Sequence, residues 1–436
     1  MRAKLLVAAL LAMLMTAGCG ITVERRPDAG PAPTAATPGR DTVTRSLKDV
    51  ERFWRDSFPD IAGGEAFTPV KGGFFPYTQR KLPPPCGGEP SQYQPNAFYC
   101  PPGDFIAWDA QNLIPQLEQR YGPVLVGVVM AHEYGHAVQT RLGRTDDATV
   151  VLEQQADCFA GAWLKDVLAG RSTAFRDVTP EQLDNTVAGL LLLRDQPGTP
   201  AVAEGAHGNA FDRIRALQDG VEDGPKTCAG YRADNLPVTE IPFNNEADAA
   251  RGGDLPYGQA VTLLAGDAES YWERTFPQLA GKAWTELPVQ PFDARQPPAC
   301  PAPDASAGGR AFYCPDGDFV AFDNTELGPA LYRQIGDNAV GMLLGDLFAR
   351  AAQDRRGAET RDKAGQLSVD CLAGSWTNDL LTRRGQTDIR LSPGDLDEAV
   401  TALLAFGRAG EGTGPTAFER ISAYRKGVIN GLSACA

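Results

Sequence analysis

Apolar side chains in the first half of the chain recur mainly at helical spacing. One such run, which contains Leu47, Val50 and Trp54, predicts a helix over residues 47–58. Similar runs predict further helices at 111–120, 123–142, 149–168, 180–194 and 209–220. Residues typical of helix ends support several of these bounds, namely Thr179, Pro180, Gly143 and Gly170.

Two segments depart from this spacing. Residues 105–108 are apolar, are bounded by turn residues, and predict a short strand. The Pro/Gly-rich stretch before them, which is bounded by Cys86 and Cys100, predicts irregular structure. The pattern as a whole indicates an α+β unit dominated by helices.

Four blocks of the first half recur in the same order about 210 residues later. They are VERFWRDSFPDIAG (50–63) and AESYWERTFPQLAG (268–281), AFYCPPGDFIAWD (97–109) and AFYCPDGDFVAFD (311–323), ADCFAGAW (156–163) and VDCLAGSW (369–376), and AFDRIRALQDG (210–220) and AFERISAYRKG (417–427). Chance does not produce four colinear blocks, so we predict a tandem duplication. The expected domains are residues 46–232 and 255–436, joined by a linker at 233–254.

The N-terminus has the form of an export signal. In residues 1–18 two basic side chains precede an apolar run that is too short to span a bilayer, which needs roughly 20 residues. The ending Thr-Ala-Gly-Cys resembles the lipobox of bacterial lipoproteins, which implies acylation of Cys19 and anchoring at the outer face of the cell membrane; simple secretion is the alternative. Residues 19–45 carry few large apolar side chains and predict a flexible tether.

The net charge and the cysteine content limit which partners and which disulfides we expect. A formal net charge of −14 disfavours nucleic acid as a partner, because phosphate backbones repel an acidic surface. Apart from Cys19, the cysteines divide equally between the copies, which predicts two disulfides in each copy and permits three pairings. We favour the pairs Cys86–Cys100, Cys158–Cys228, Cys300–Cys314 and Cys371–Cys435.

A metal-binding pattern lies in the predicted helix 123–142. Its residues 131–139 read AHEYGHAVQ, which places His132 and His136 on one helical face with Glu133 beside them. Two imidazoles at this spacing can share a zinc ion, and the carboxylate can accept a proton from water. The alternative is a pair of helix-surface histidines without metal. The chain has only 3 histidines, and two of them fall at this spacing.

A second predicted helix supplies further carboxylates in the segment LEQQAD (152–157). We expect Glu153 to be the third zinc ligand, which leaves one coordination position open for catalysis. Asp157, one turn later, is expected to accept the ring N–H of a ligand histidine. The alternatives are that Glu153 is a solvated surface carboxylate, or that Asp157 is the ligand in its place.

These motifs resemble the bacterial putative neutral zinc metallopeptidase family and the HExxH…ExxxD pattern of gluzincin-type peptidases. The resemblance covers residues 45–231, with FYCP (98–101) and His207-Gly208. It implies a zincin-like fold, zinc on His132, His136 and Glu153, and Glu133 as general base. It also implies that His207 donates a hydrogen bond to the oxyanion, although a structural histidine near a helix start is an equal alternative.

The second copy lacks the predicted zinc ligands. Position by position, Asp346 replaces His132, Leu347 replaces Glu133, Arg350 replaces His136, Gln366 replaces Glu153 and Gly414 replaces His207, whereas Asp370 retains Asp157. A guanidinium in place of a ligand excludes zinc, so we expect an inactive second zincin-like domain.

The sequence therefore predicts an exported, lipid-anchored zinc metallopeptidase with one Zn²⁺ per chain. Its partners would be a peptide or protein substrate and, through the lipid alone, a membrane. The alternative is a non-catalytic cell-envelope lipoprotein that binds partners through the pseudo-enzyme repeat. Zinc content and chelator-sensitive cleavage distinguish the two.

Overall fold

A computed structural model describes residues 40–88, 91–144, 148–201, 203, 206–236, 238–383, 389–407 and 414–435. The predicted signal, Cys19 and the tether up to residue 39 lie outside the described residues. Helices make up 56% of the structure, which agrees with a helix-dominated α+β fold. No described helix is both long enough and apolar enough to cross a membrane.

The helices of the first half follow the sequence-based expectation closely. In chain order they are α1 (Arg40–Ser57), α2 (Leu113–Tyr121), α3 (Pro123–Arg141), α4 (Thr149–Leu168), α5 (Pro180–Leu190), α6 (Ala210–Asp223) and α7 (Pro225–Ala229). Short 3₁₀ turns follow α1 and α5. The capping box at Thr179 and the positive φ of Gly143 and Gly170 confirm the predicted helix ends.

Helix α1 begins seven residues before the predicted start, so the expected tether is wrong for residues 40–45. The physical reason is Val43, which is fully buried and extends the apolar face by one more turn. Helix α5 ends at Leu190 rather than at residue 194, and a 3₁₀ turn completes the predicted segment.

A three-stranded sheet covers one side of the first half. Its strands are β1 (Gly73–Tyr77), β2 (Ala97–Cys100) and β3 (Phe105–Asp109), in the order β1-β3-β2. β3 pairs in parallel with β1 and antiparallel with β2. The prediction of irregular structure between Cys86 and Cys100 is wrong for β2, because pairing with β3 orders this short segment. Strand β1, which lies before Cys86, was not predicted from the sequence.

The elements of the second half follow the order of those from α1 to α6, with one strand added. They are α8 (Glu246–Ala250) within the predicted linker, α9 (Tyr257–Ala280), β4 (Val289–Phe292), β5 (Asp304–Ser306), β6 (Ala311–Cys314), β7 (Phe319–Asp323), α10 (Leu327–Gln334), α11 (Asp337–Arg355), α12 (Lys363–Thr382), α13 (Asp395–Gly407) and α14 (Ala417–Asn430). The sheet order is β4-β7-β6-β5, with β4 and β7 parallel. Strand β5 has no counterpart among the described strands of the first half.

Helix α3 lies at the centre of the first half and packs against α1, α4 and β2. Helices α4 and α6 approach each other closely because glycines face the neighbouring backbone. A Cβ on Gly161 would lie 2.0 Å from the Leu217 carbonyl oxygen, and one on Gly220 would lie 2.0 Å from that of Cys158. This approach places side chains of α6 against the polar residues of α4.

Four disulfides join the pairs favoured from the sequence: Cys86–Cys100, Cys158–Cys228, Cys300–Cys314 and Cys371–Cys435. In the first half, one bond ties the loop before β2 to that strand, and the other ties α4 to α7. A cross-link of this kind stabilises the fold by restricting the unfolded chain.

The two halves belong to one compact unit and contact each other through reciprocal hydrogen bonds. At the start of α6, the Phe211 N–H donates to Asp397 of α13 over 2.9 Å. At the start of α14, the Phe418 N–H donates to Asp184 of α5 over 3.0 Å. Each half thus satisfies a helix N-terminus of the other.

Candidate metal centre

Helix α3 brings the two predicted histidine ligands together inside the fold. It begins at Pro123, after a glycine with positive φ, and is buried along most of its length. His132 and His136 share a face, and their Nε2 atoms lie 3.2 Å apart. Gly135, between them, allows the close approach of α4: a Cβ at this position would lie 3.0 Å from the Ala156 Cα.

Helix α4 contributes Glu153 to the same point. Its carboxylate oxygens lie 3.2 Å from His132 Nε2 and 3.5 Å from His136 Nε2. One potential ligand atom from each of the three residues falls within 4.8 Å of the other two. Two imidazole nitrogens and a carboxylate oxygen are the donor set of catalytic zinc sites.

Hydrogen bonds at the opposite ring nitrogens orient both imidazoles. His132 Nδ1 lies 2.8 Å from Asp157, and His136 Nδ1 lies 2.9 Å from the Gln139 Oε1. The Gln139 Nε2 donates to the Leu152 carbonyl over 2.6 Å, so its oxygen must face His136 as an acceptor. Both Nδ1 atoms therefore carry a ring proton, and both Nε2 atoms face the space that Glu153 also faces.

This arrangement fits a cation. When each imidazole carries its proton on Nδ1 alone, the Nε2 atoms cannot donate to Glu153, and the Glu153 Oε2 is buried without a hydrogen-bond partner among the described residues. Three electron-pair donors that face one another at these distances repel unless a positive charge lies between them. A zinc ion supplies that charge, and the donor types suit it.

The ionisation of the site points the same way. Burial alone would lower the pKa of His132, but Asp157 and Glu153 raise it to about 10. Burial would raise the pKa of Glu153, but His136 and His132 hold it at about 2. The carboxylates therefore favour a positive charge at this point, either a second proton on His132 or a cation between the three side chains.

Arg213 of α6 is a site residue that the sequence analysis missed. It donates to both carboxylate oxygens of Asp157, over 2.8 and 2.9 Å. Burial opposes the charge of Asp157, but Arg213 and His132 keep the pKa of that carboxyl well below its usual range. The sequence did contain a signal for Arg213, because the matching block of the second half has an arginine, Arg420, at the corresponding position.

Glu133 lies beside the ligands at the edge of the sheet. Its side chain is buried, and one carboxylate oxygen accepts the backbone N–H of Tyr99 in β2 over 2.9 Å. The FYCP segment therefore holds the carboxylate next to the histidines of α3. This backbone contact could not be foreseen from spacing along the chain.

His207 lies outside the three-residue cluster. Its side chain is 46% exposed, and its Nδ1 lies 3.5 Å from Asp195. The backbone N–H groups of His207 and Gly208 donate to the same aspartate. His207 is close enough to Glu153 to contribute, as the smallest named cause, to lowering the pKa of that carboxyl.

The corresponding point of the second half holds an ion-pair network. Arg350 of α11 donates to Asp346 and Asp304, each over 2.8 Å. Arg420 of α14 donates to Asp370, as Arg213 does to Asp157. The buried guanidinium of Arg350 supplies the positive charge here, so this point offers no zinc site.

Comparisons with known proteins agree with this geometry. Residues 21–231 match the model of a family described as putative neutral zinc metallopeptidase. Uncharacterized proteins of Mycobacterium bovis and of two strains of Mycobacterium tuberculosis are 29% identical over 176 residues of alignment. The match covers 35% of this chain and 59% of each relative. No solved structure matches the chain. Over residues 21–231, the chain is thus similar to the putative neutral zinc metallopeptidases.

Proposed function

We propose that this chain is an exported zinc metallopeptidase that hydrolyses peptide bonds and is anchored to the outer face of a bacterial cell membrane by lipid on Cys19. The observation that carries the catalytic proposal is the convergence of the His132, His136 and Glu153 ligand atoms within 4.8 Å of one another. The membrane anchor is carried by the N-terminal sequence alone.

His132, His136 and Glu153 would hold one Zn²⁺. When bound, the ion would supply a Lewis acid that polarises the scissile carbonyl and lowers the pKa of a water. Asp157 and Gln139 accept the Nδ1 protons and so orient both Nε2 atoms toward the ion. The packing of α3 buries most of the surface of the three ligand side chains.

Glu133 is the proposed general base. The Tyr99 N–H holds one of its oxygens, which leaves the other to take a proton from the attacking water. The water oxygen bonds to the carbonyl carbon, the C–N bond breaks, and Glu133 delivers the proton to the leaving amine. We propose that His207, oriented by Asp195, donates a hydrogen bond to the carbonyl oxygen as it becomes negative.

The second half is proposed to be a duplicated domain that has lost its metal. The four recurring sequence blocks and the shared order of elements support duplication. The Arg350 network supports the loss, because a buried cation takes over the role of the ion.

Replacement of Glu133 tests the mechanism. Glu133→Gln should retain zinc, because it is not a ligand, and should lower kcat by roughly 10²–10⁴-fold, because the base is lost. Zinc per chain is measured by elemental analysis, and turnover is measured with a peptide library and a chelator control. Glu51→Gln is a matched control, since Glu51 also contacts α3, through Tyr134, but away from the ligands.

Three results would contradict the proposal in different ways. Full turnover in Glu133→Gln would remove Glu133 as the base. Loss of zinc in that variant would assign it a ligand role instead. A wild-type chain with neither zinc nor chelator-sensitive cleavage would favour the alternative, a non-catalytic envelope lipoprotein.

A further inference from the structure

A recess of about 250 Å³ lies where the two halves and the segment between them meet. The first half contributes the start of α4, the loop 195–201 and residues 208–209. The connecting segment contributes residues 238–243, and the second half contributes the start of α13 with the residues before it. The recess therefore exists only because the second half packs at this place.

The recess adjoins the candidate metal centre. Val150, in its wall, is one helical turn before the ligand Glu153 on α4. Gly208, also in the wall, directly follows His207, and Asp195 of the wall accepts both of their backbone N–H groups. The residues that follow and orient His207 thus border the recess.

The walls combine apolar surface with carboxylates. Apolar wall residues include Val238, Ile241, Phe243 and Leu396. The carboxylates are Asp195, Asp212, Glu240 and Asp397, and none of the described wall residues is lysine or arginine.

Most of these carboxylates are held in place by the protein. Asp212 accepts hydrogen bonds from Thr239, and Asp397 accepts the Phe211 N–H, while the Arg194 Nε lies 3.4 Å from the other Asp397 oxygen. Burial raises the pKa of Asp212 and of Asp397, so a positive charge nearby would stabilise both. Glu240 is exposed at the rim.

We propose that this recess binds the lysine or arginine side chain of a peptide substrate, and that the second half serves the enzyme by forming one of its walls. An apolar stem with a cationic head matches apolar walls that carry carboxylates. The volume lies below the roughly 300–1,000 Å³ of most ligand pockets and suits a single side chain. The proposal rests on the proposed peptidase function for the position of the scissile bond, and on the recess alone for the preference.

Peptide binding tests the preference without turnover. The probe is a fluorescein-labelled alanine pentapeptide with lysine, norleucine or glutamate at its centre, added to the zinc-loaded full chain that carries Glu133→Gln. We expect the lysine peptide to bind roughly tenfold more tightly than the glutamate peptide, with a difference that shrinks as salt is raised. Glu240→Lys in this background should abolish the difference, and Glu240→Gln should reduce it.

Asp234→Lys is the matched control, because it changes the same charge on an exposed residue of the same connecting segment outside the recess. Equal binding of the three peptides, or equal effects of Glu240→Lys and Asp234→Lys, would overturn the recess proposal. Wild-type chain that binds the lysine peptide through Glu240 but cleaves no peptide would retain the recess and reject the peptidase. Cleavage without a preference for lysine or arginine would retain the peptidase and reject the recess proposal.

Discussion

At the residue scale, the candidate centre depends on side chains that never touch the metal. Asp157 and Gln139 place the proton of each histidine ring on Nδ1, and Arg213 in turn fixes Asp157 through two hydrogen bonds. Such outer partners orient the ligands, and their loss typically costs about 10–100-fold in metal affinity. The second half retains the arginine–aspartate pair without the histidines, which separates the structural role of the pair from its role at the metal.

Arg213 is expected to act as a positioning residue for zinc binding. Arg213→Met should weaken zinc affinity by roughly 10–100-fold, because Asp157 loses the contacts that orient it toward His132. Removal of a positive charge would by itself strengthen binding of a dication, so the direction of the change shows which effect dominates. Arg213→Lys, which keeps the charge but lacks the planar fork, should also weaken binding.

Zinc affinity is measured by competition with a chromophoric chelator, beside the thermal stability of each variant. Arg420→Met is the matched control in the second half: it should lower the melting temperature and leave zinc affinity unchanged. Equal zinc affinity in Arg213→Met and wild type would show that the Arg213–Asp157 pair serves only the packing of α4 against α6.

At the scale of elements, α3 and α11 both bury polar side chains, but the charges of these side chains differ. Each is a buried central helix that carries polar groups into the interior. In α3 those groups are oriented for a cation, whereas in α11 Asp346 pairs with Arg350, which also reaches Asp304 of β5. Burial of charges is tolerated only when they are paired, so the network has to be complete.

Removal of Arg350 should therefore destabilise the second half strongly. Arg350→Met would leave Asp346 and Asp304 buried without their cation, and we expect a loss of roughly 3–5 kcal/mol in the free energy of unfolding. Chemical denaturation measures it. The additional changes Asp346→Asn and Asp304→Asn should recover part of the loss, because they remove the uncompensated charges.

Arg274→Met is the control, since Arg274 pairs with Asp379 at a half-exposed position. There we expect about 1 kcal/mol or less. Equal losses in the Arg350 and Arg274 variants would mean that the buried network contributes no more than a surface ion pair.

At the scale of the whole molecule, a cluster of carboxyl groups lies where the connecting segment packs against the second half. Asp254, Asp337 and Glu398 bring carboxylate oxygens within 4.8 Å of one another. Burial and mutual repulsion raise the pKa of Asp337 to about 6 and raise the pKa of Glu398 and of Asp395 well above the usual range. These groups oppose folding when they are ionised.

The stability of the chain should consequently depend on pH through this cluster. A carboxyl group with a higher pKa in the folded chain binds its proton more readily when folded. Its stabilising contribution is complete below the unfolded pKa of roughly 4 and is lost as pH rises through about 6 and above. Glu398→Gln removes one of these charges. At pH 8 the variant should therefore have a higher melting temperature than wild type and a free energy of unfolding that is larger by about 1 kcal/mol.

This difference in melting temperature should shrink as pH falls toward roughly 4, where the wild-type cluster is protonated. Glu286→Gln, at an exposed position of the second half, controls for the loss of a negative charge and should show no such pH dependence. A Glu398→Gln variant that melts lower than wild type at pH 8 would indicate that the carboxylate contributes more through its hydrogen bond to the Asn338 N–H than its charge costs.

The amino-acid sequence by itself determined the elements whose signals are local. Helices α3 and α4, the shared face of His132 and His136, and the recurring blocks follow from spacings of a few residues or from direct repetition. Local backbone hydrogen bonds and side-chain periodicity decide such features, so these features can be predicted without knowledge of the fold. The cysteine pairing was also within reach, because only three pairings exist in each half.

Only the tertiary structure decided which distant groups meet. Strands β1 and β2, the contact of Tyr99 with Glu133, the Arg213–Asp157 pair and the recess between the halves join residues that are far apart in the sequence. Their proximity depends on how helices pack, for example on Gly161 and Gly220, which let α4 and α6 approach. No periodicity along the chain records such contacts, because their energy comes from burial and complementarity between elements rather than from the order of residues within one element.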